Sequence, residues 1–175
     1  MGAGKSTVGL RLAKELGWTF VDLDEEIVRT EGKSIATIFE SSGEAYFRDR
    51  EHSALRKTLT HDGIVLALGG GAIETEANRP HLQENPETLL IYLEAPLEIL
   101  MVRCEEQQLS NPTAPRRPVL ENRSELEKRF LRRKPLYEMA HWTVETAEAD
   151  PEQTVQIILK RWRESGVKSS GQAVL

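Results

Sequence analysis

The first seven residues constrain this chain more than any other stretch. Gly2-Ala3-Gly4-Lys5-Ser6-Thr7 reads as most of a phosphate-binding loop. In the signature G-x-x-x-x-G-K-[ST], Gly4, Lys5 and Ser6 take the last three positions, and the first glycine would lie two residues upstream of Met1. The residue types follow from the chemistry. Gly2 and Gly4 let backbone N–H groups turn toward phosphate oxygens with no Cβ in the way. Lys5 places a point charge on the β- and γ-phosphates, and the Ser6 hydroxyl can ligate Mg²⁺. A loop of this kind joins a strand to a helix whose positive end faces the phosphates. The helix is evident: Val8, Leu12 and Leu16 form an i, i+4 stripe over Lys5 to Leu16, with Ala13 beside it. The strand before it is absent from the sequence.

Strands and helices alternate after this helix. Gly17 is placed to cap it, and Trp18 to Leu23 reads as a strand ending in Asp22-Leu23-Asp24. Asp24 is placed to cap a helix from Glu25 to Thr30. Ser34 starts a further turn to Phe39, Gly43 breaks it, and Glu44 to Leu59 forms a longer helix. Ile64 to Leu68 is a continuous apolar run, as in a strand buried on both sheet faces, and Gly69, Gly70 and Gly71 follow it. A helical stretch is expected from about Thr75 to Gln83, and a strand from Thr88 to Leu93. Pro96 opens a helix to about Glu105. Gln107 to Pro118 carries three prolines and no apolar period, so it reads as a loop, of a length typical of lids. A basic helix from Ser124 to Arg133 is interrupted by Pro135. Trp142 to Glu145 is a last short strand, and Pro151 to Trp162 a last helix. Residues from Gly166 onward read as a frayed tail. This order predicts an α/β domain with a mainly parallel sheet.

The bulk numbers exclude some classes of function. A net charge of −5 argues against nucleic acid as the main partner. One cysteine, Cys104, excludes an internal disulfide framework and fits a reducing cytoplasm. No apolar run approaches a membrane span.

Several clusters carry chemistry. Asp22 and Asp24 lie two apart, with Asp22 suited to a position around Mg²⁺ and Asp24 to an acceptor hydroxyl. Glu44, Arg48 and Glu51 share one helix face. An arginine there could be a plain surface ion pair, or could fork onto a substrate carboxylate with Glu51 fixing its rotamer. The basic run Arg116, Arg117, Arg123, Lys128, Arg129, Arg132, Arg133 and Lys134 is a solvated face in the main, with one or two anion ligands expected among its members. His52, His61, His81 and His141 show no metal-ligand spacing.

Taken together, these motifs resemble the shikimate kinases, within the nucleoside-monophosphate-kinase-like group of P-loop proteins. The resemblance runs from Met1 to about Trp162. It rests on the loop at Gly2 to Thr7, D-x-D at Asp22 and Asp24, and G-E-x-x-F-R-x-x-E at Gly43, Glu44, Phe47, Arg48 and Glu51. It continues through Gly69 to Gly71, the lid segment Arg117-Pro118-Val119-Leu120 with Val in place of Leu, and R-x-P-L-Y at Arg133, Pro135, Leu136 and Tyr137.

The resemblance implies transfer of the ATP γ-phosphate to the 3-hydroxyl of shikimate, with Mg²⁺, in the cytoplasmic route to chorismate and aromatic amino acids. It casts Asp24, Lys5 and Arg117 as catalytic, and Asp24, Arg48, Gly70, Gly71 and Arg133 as shikimate-binding. It assigns Gly2, Ala3, Gly4, Lys5, Ser6, Thr7, Arg117 and Pro151 to the nucleotide, and Ser6 and Asp22 to the metal. Where many relatives carry a basic lid residue, Ser110 stands here, so Arg103 or Arg116 is left to serve the adenine side. A monomer is expected, with no nucleic-acid or membrane partner.

The implied fold is a three-layer α/β/α P-loop kinase with parallel strand order 2-3-1-4-5 and the first strand missing. Residues 1–165 would form one domain, with the substrate part at 24–60, the lid at 106–120 and a disordered tail at 166–175. Without its central strand, the sheet would either close on itself or expose apolar surface. The chain is therefore expected to be poorly stable or to need an upstream extension. Two alternatives remain: a sibling small-molecule kinase such as a gluconate kinase, and an inactive nucleotide-binding relic.

Overall fold

The computed structural model describes residues 2–110, 123–165 and 171–175. Among these described residues, six helices, α1 (Lys5–Leu16), α2 (Leu23–Glu31), α3 (Ile35–Thr58), α4 (Leu97–Ser110), α5 (Arg123–Tyr137) and α6 (Pro151–Ser165), surround a five-stranded sheet. The strands are β1 (Thr19–Asp22), β2 (Ile64–Ala67), β3 (Thr88–Glu94), β4 (Trp142–Glu145) and β5 (Gln172–Val174). All pairings are parallel, in the order β1-β2-β5-β3-β4.

The centre of the sheet is filled, against the expected gap, by residues 171–175, the last five of the expected tail 166–175. The central position, predicted to be vacant, is held by β5. Gln172 pairs with Ile64 of β2 on one side and with Thr88 of β3 on the other. The Gly63 and Gln172 N–H groups donate to Gly171 and Glu87 carbonyls at 2.9 and 2.8 Å, and Leu68 and Leu175 donate to Leu175 and Leu66 at 2.8 Å each. The edges of β2 and β3 that would have been orphaned are thus satisfied. Ala173 and Val174 are both 0% exposed. They point to opposite faces, Ala173 into the cluster with α1 and α6, Val174 into the cluster with α2 and α3. Gln172, also buried, accepts from the Thr88 hydroxyl at 3.1 Å and donates to the His61 carbonyl at 3.1 Å, so its amide is not left unpaired. Residues 166–170 lie outside the described residues.

The two layers follow from the apolar stripes. Val8, Leu12 and Ala13 of α1 and Val155, Ile158, Leu159 and Trp162 of α6 cover Val65, Leu89, Ile91, Leu93 and Val144. On the other face, Leu23, Ile27, Ile38, Phe47 and Leu55 cover Ile64, Leu66 and Leu90. Trp162 packs edge-on against Trp18 and Trp142, at 5.3 and 6.1 Å between ring centroids.

Four local readings need correction. The stretch Thr75 to Gln83, which follows a 3-10 turn at Ala72–Glu74, forms a second 3-10 turn at Glu76–Asn78 and a π turn at Pro80–Glu84, not a regular helix. Gln107 to Ser110, expected in the lid loop, continue α4. The remainder of the lid, 111–120, lies outside the described residues. Pro135, expected to interrupt the basic helix before a further turn through Tyr137 and Met139, sits inside a continuous α5 that runs to Tyr137. Finally, the cap of α2 is Asp22, whose carboxylate accepts from the Asp24 N–H at 3.1 Å, so Asp24 lies in the first turn. The Gly43 break is present as a kink with φ 81° inside α3.

Candidate active site

The loop at the start of α1 is built by backbone that other residues adopt at a cost. Gly4 caps the helix at φ 79°, and Gly2 has φ 69°. Lys5 follows in the first turn, lining a cavity of about 180 Å³ that it shares with Ala3, Gly69, Gly70, Arg133 and Tyr137. The Ser6 hydroxyl donates to Asp22 at 2.9 Å, so two side-chain oxygens placed by α1 and the end of β1 stand side by side. Hard oxygen donors of this kind suit Mg²⁺, which takes one or two protein oxygens and completes its shell with water and phosphate. Among the described residues no group of three or more His, Cys, Asp or Glu forms an all-protein metal cage. Thr7 is exposed on α1, and Pro151 opens α6. Arg103 donates to the Thr146 and Ala147 carbonyls, which ties α4 to the loop before Pro151.

Asp24 lies between this loop and the triple glycine. A Cβ on Gly69 would come within 2.9 Å of its carboxylate, so only glycine lets the two elements approach. Burial pushes the Asp24 pKa above its ordinary 3.8, and the neighbouring Asp22 charge pushes the same way. Lys5 and Arg48 oppose the shift without cancelling it. A carboxylate raised in this manner is a better proton acceptor than a solvated one.

Two guanidinium groups meet over Gly71. A Cβ there would lie 2.7 and 2.8 Å from Arg48 Nη2 and Nη1 and 3.1 Å from Arg133 Nη2. Each cation is held by carboxylates. Arg48 donates to Glu51 at 2.9 Å and to Glu44 at 3.1 Å. Burial works against the Arg48 charge, yet Glu51 and Glu44 more than offset it and raise its pKa. Glu51 is 1% exposed, and burial raises its own pKa against the pull of Arg48. Arg133 donates through Nε to Glu74 at 2.7 Å, with Nη2 at 2.6 Å from the same oxygen, and Arg132 takes the other Glu74 oxygen at 3.0 Å. The Tyr137 hydroxyl donates to the Gly70 carbonyl at 2.7 Å and fixes the glycine turn from the α5 side.

Asp22, Asp24, Arg48, Gly70, Gly71 and Arg133, spread over more than a hundred positions of sequence, are therefore gathered at the carboxyl ends of β1 and β2 with Lys5 and Ser6. Ligands bind at this end of open α/β sheets. Arg117 lies outside the described residues. Glu74 was missed by sequence reasoning. Its partners are 58 and 59 residues away, and no local spacing signals such a contact.

Comparison with known proteins gives the family. A family model described as shikimate kinase matches residues 1–163. The chain belongs to the shikimate kinase family. The shikimate kinase of Persephonella marina is 40% identical over 164 residues, covering 93% of this chain and 94% of that protein. Among solved structures, the shikimate kinase of Acinetobacter baumannii in complex with shikimate superposes with a TM-score of 0.82 at 37% identity, over 96% of this chain and 91% of that one. The shikimate kinase of Aquifex aeolicus superposes with a TM-score of 0.77 at 31% identity, covering 94% of this chain and 92% of that one. The three-layer P-loop kinase fold is common to this family and this chain.

Proposed function

We propose that this chain is a shikimate kinase, transferring the γ-phosphoryl group of ATP to the 3-hydroxyl of shikimate on the route to chorismate and aromatic amino acids. The observation that carries the reading is the meeting of Arg48 and Arg133 over Gly71, with the Asp24 carboxylate against neighbouring Gly69. A small carboxylic acid bearing hydroxyls needs a cationic fork at one end and an acceptor at the other, and this corner supplies both.

In the reaction, the shikimate 3-hydroxyl oxygen bonds to the γ-phosphorus while the bond to the β–γ bridging oxygen breaks and ADP leaves. Asp24 orients the hydroxyl and accepts its proton. Arg48 and Arg133 hold the shikimate carboxylate, and Gly70 and Gly71 let the ring lie against backbone. Gly2, Ala3, Gly4 and Thr7, with the N-terminal end of α1, cradle the phosphates, and Lys5 balances charge on the transferred group. Ser6 and Asp22 are the residues that would hold Mg²⁺, which when bound neutralises charge on the β- and γ-phosphates. Arg117 is assigned to the transferring phosphoryl group and Pro151 to the adenine side.

We place the reaction in the cytoplasm, in a monomer. No helix among the described residues is long and apolar enough to cross a membrane. A coupled assay of ADP formation tests the function. Shikimate-dependent turnover is expected. Turnover of gluconate but not shikimate would replace the reading with a sibling kinase, and ATP binding without turnover of either would replace it with a nucleotide-binding relic.

A further inference from the structure

We infer that Glu74 is a positioning residue for shikimate, holding Arg133 in the pose that meets the substrate carboxylate; the inference rests on the substrate role proposed for Arg133. The argument begins from repulsion. Arg48 and Arg133 are like charges brought together over Gly71, so a free Arg133 would swing its long side chain toward solvent. Arg48 resists this through Glu51, three residues away on its own helix. On its own helix Arg133 meets the neutral Tyr137 hydroxyl, four residues on, which does not balance its charge. Its counterpart is Glu74, at the end of the Ala72–Glu74 turn that directly follows the triple glycine.

The geometry decides between holding and competing. Glu74 takes the side edge of Arg133, Nε at 2.7 Å and Nη2 at 2.6 Å, both on one carboxylate oxygen. The guanidinium end remains over the glycines, with Nη1 3.4 Å from a Cβ position on Gly70 and Nη2 3.1 Å from one on Gly71. A substrate carboxylate can approach that end without displacing Glu74. The second Glu74 oxygen is occupied by Arg132, at 3.0 Å from Nε and 2.8 Å from Nη2, so the carboxylate is fixed from both sides. The glycines that floor the pocket and the carboxylate that aims Arg133 thus belong to one short segment, and α5 is set against β2 through it.

The test is steady-state kinetics on Glu74→Gln and Glu74→Asp beside Arg133→Ala, with ATP and shikimate varied separately. Glu74→Gln removes the charge and is expected to raise KM for shikimate roughly tenfold, with kcat within about twofold and KM for ATP unmoved. Glu74→Asp keeps the charge and is expected to restore KM to within about threefold of wild type. A KM for shikimate that is unchanged or lower in Glu74→Gln overturns the inference, because Glu74 would then be inert or a competitor. So does an equal loss in both variants, or a parallel rise in KM for ATP, either of which marks a general structural role. Arg133→Ala separates the two levels. Unchanged shikimate KM in Arg133→Ala removes the substrate reading itself, whereas a large rise there with none in Glu74→Gln removes the role of Glu74 alone.

Discussion

The substrate corner and the middle of the sheet are both assembled from distant parts of the chain, yet they were unequally visible in the sequence. In the corner, Asp24, Arg48, Gly71 and Arg133 come together from four segments. At the centre, β5 is three residues drawn from the end of the chain, between β2 and β3. The residues of the corner stood out in the sequence because each type suits a chemical demand of the reaction we propose: a fork for a carboxylate, an acceptor for a hydroxyl, no Cβ where two cations meet. The centre did not, because β5 answers a demand made by other strands. Its place is set by two open hydrogen-bond edges and a slot between two helix layers, and nothing in S-S-G-Q-A-V-L announces either.

The largest effect expected from this contrast is at β5. Val174 is fully buried in the cluster with α2 and α3, so Val174→Asp places an unpaired charge in the core. A loss on the order of 4–5 kcal/mol or more is expected, enough to abolish a cooperative thermal melt. Deleting residues 171–175 should do the same. The undeleted 175 residues should melt cooperatively, because the central position of the sheet is filled. An unchanged melt after the deletion would show that β5 does not close the sheet.

The corner should respond in activity with little change in stability. Arg48→Ala removes one arm of the fork and is expected to lower kcat/KM for shikimate by roughly 10²-fold or more; it is the exception in stability, because Glu51 is left buried without its cation and the melting temperature should fall. A smaller loss, roughly tenfold and mainly in KM, is expected for Gly71→Ala, whose Cβ would press on Arg48 from 2.7 Å. If Gly71→Ala binds shikimate normally, the two guanidinium groups do not floor the pocket.

A third effect is a displaced pH limb. Burial raises the Asp24 pKa above 3.8, and the proton acceptor must be ionised, so kcat/KM should fall as the pH drops through a value above that of an ordinary aspartate. The linked stability has the opposite sense. A folded-state pKa above the unfolded one means that this group favours the fold at low pH, and the contribution is lost as pH rises through the folded value. The smallest effect is expected far from both regions. Lys128 pairs with Glu125 on exposed α5 surface at 3.1 Å, and Lys128→Ala should change stability by about 0.5 kcal/mol or less.

The same contrast explains the finer agreements and misses. Helix α1 and strand β4 match their expected bounds because each carries its own period. The turns after Gly71 differ from the expected helix: Pro80 opens a separate π turn, and Ala72, Ile73 and Leu82 are each buried in the cluster with α2 and α3. Asp22 and Asp24 share one short motif, and capping gives them different positions: Asp22 turns to the Asp24 N–H and Ser6, leaving Asp24 toward the glycines. Glu74 illustrates the limit, since a carboxylate that aims an arginine 59 residues away has no sequence signature at all.

The central claim is that Asp24 accepts the shikimate proton at the corner where Arg48 and Arg133 converge. It is tested most directly by steady-state turnover of ATP and shikimate in Asp24→Asn, with the melting temperature measured on the same preparation. The account predicts a fall in kcat of about 10²-fold or more, with a melting temperature equal to or above wild type because a buried charge has been removed. Near-normal turnover in a folded Asp24→Asn protein would contradict it.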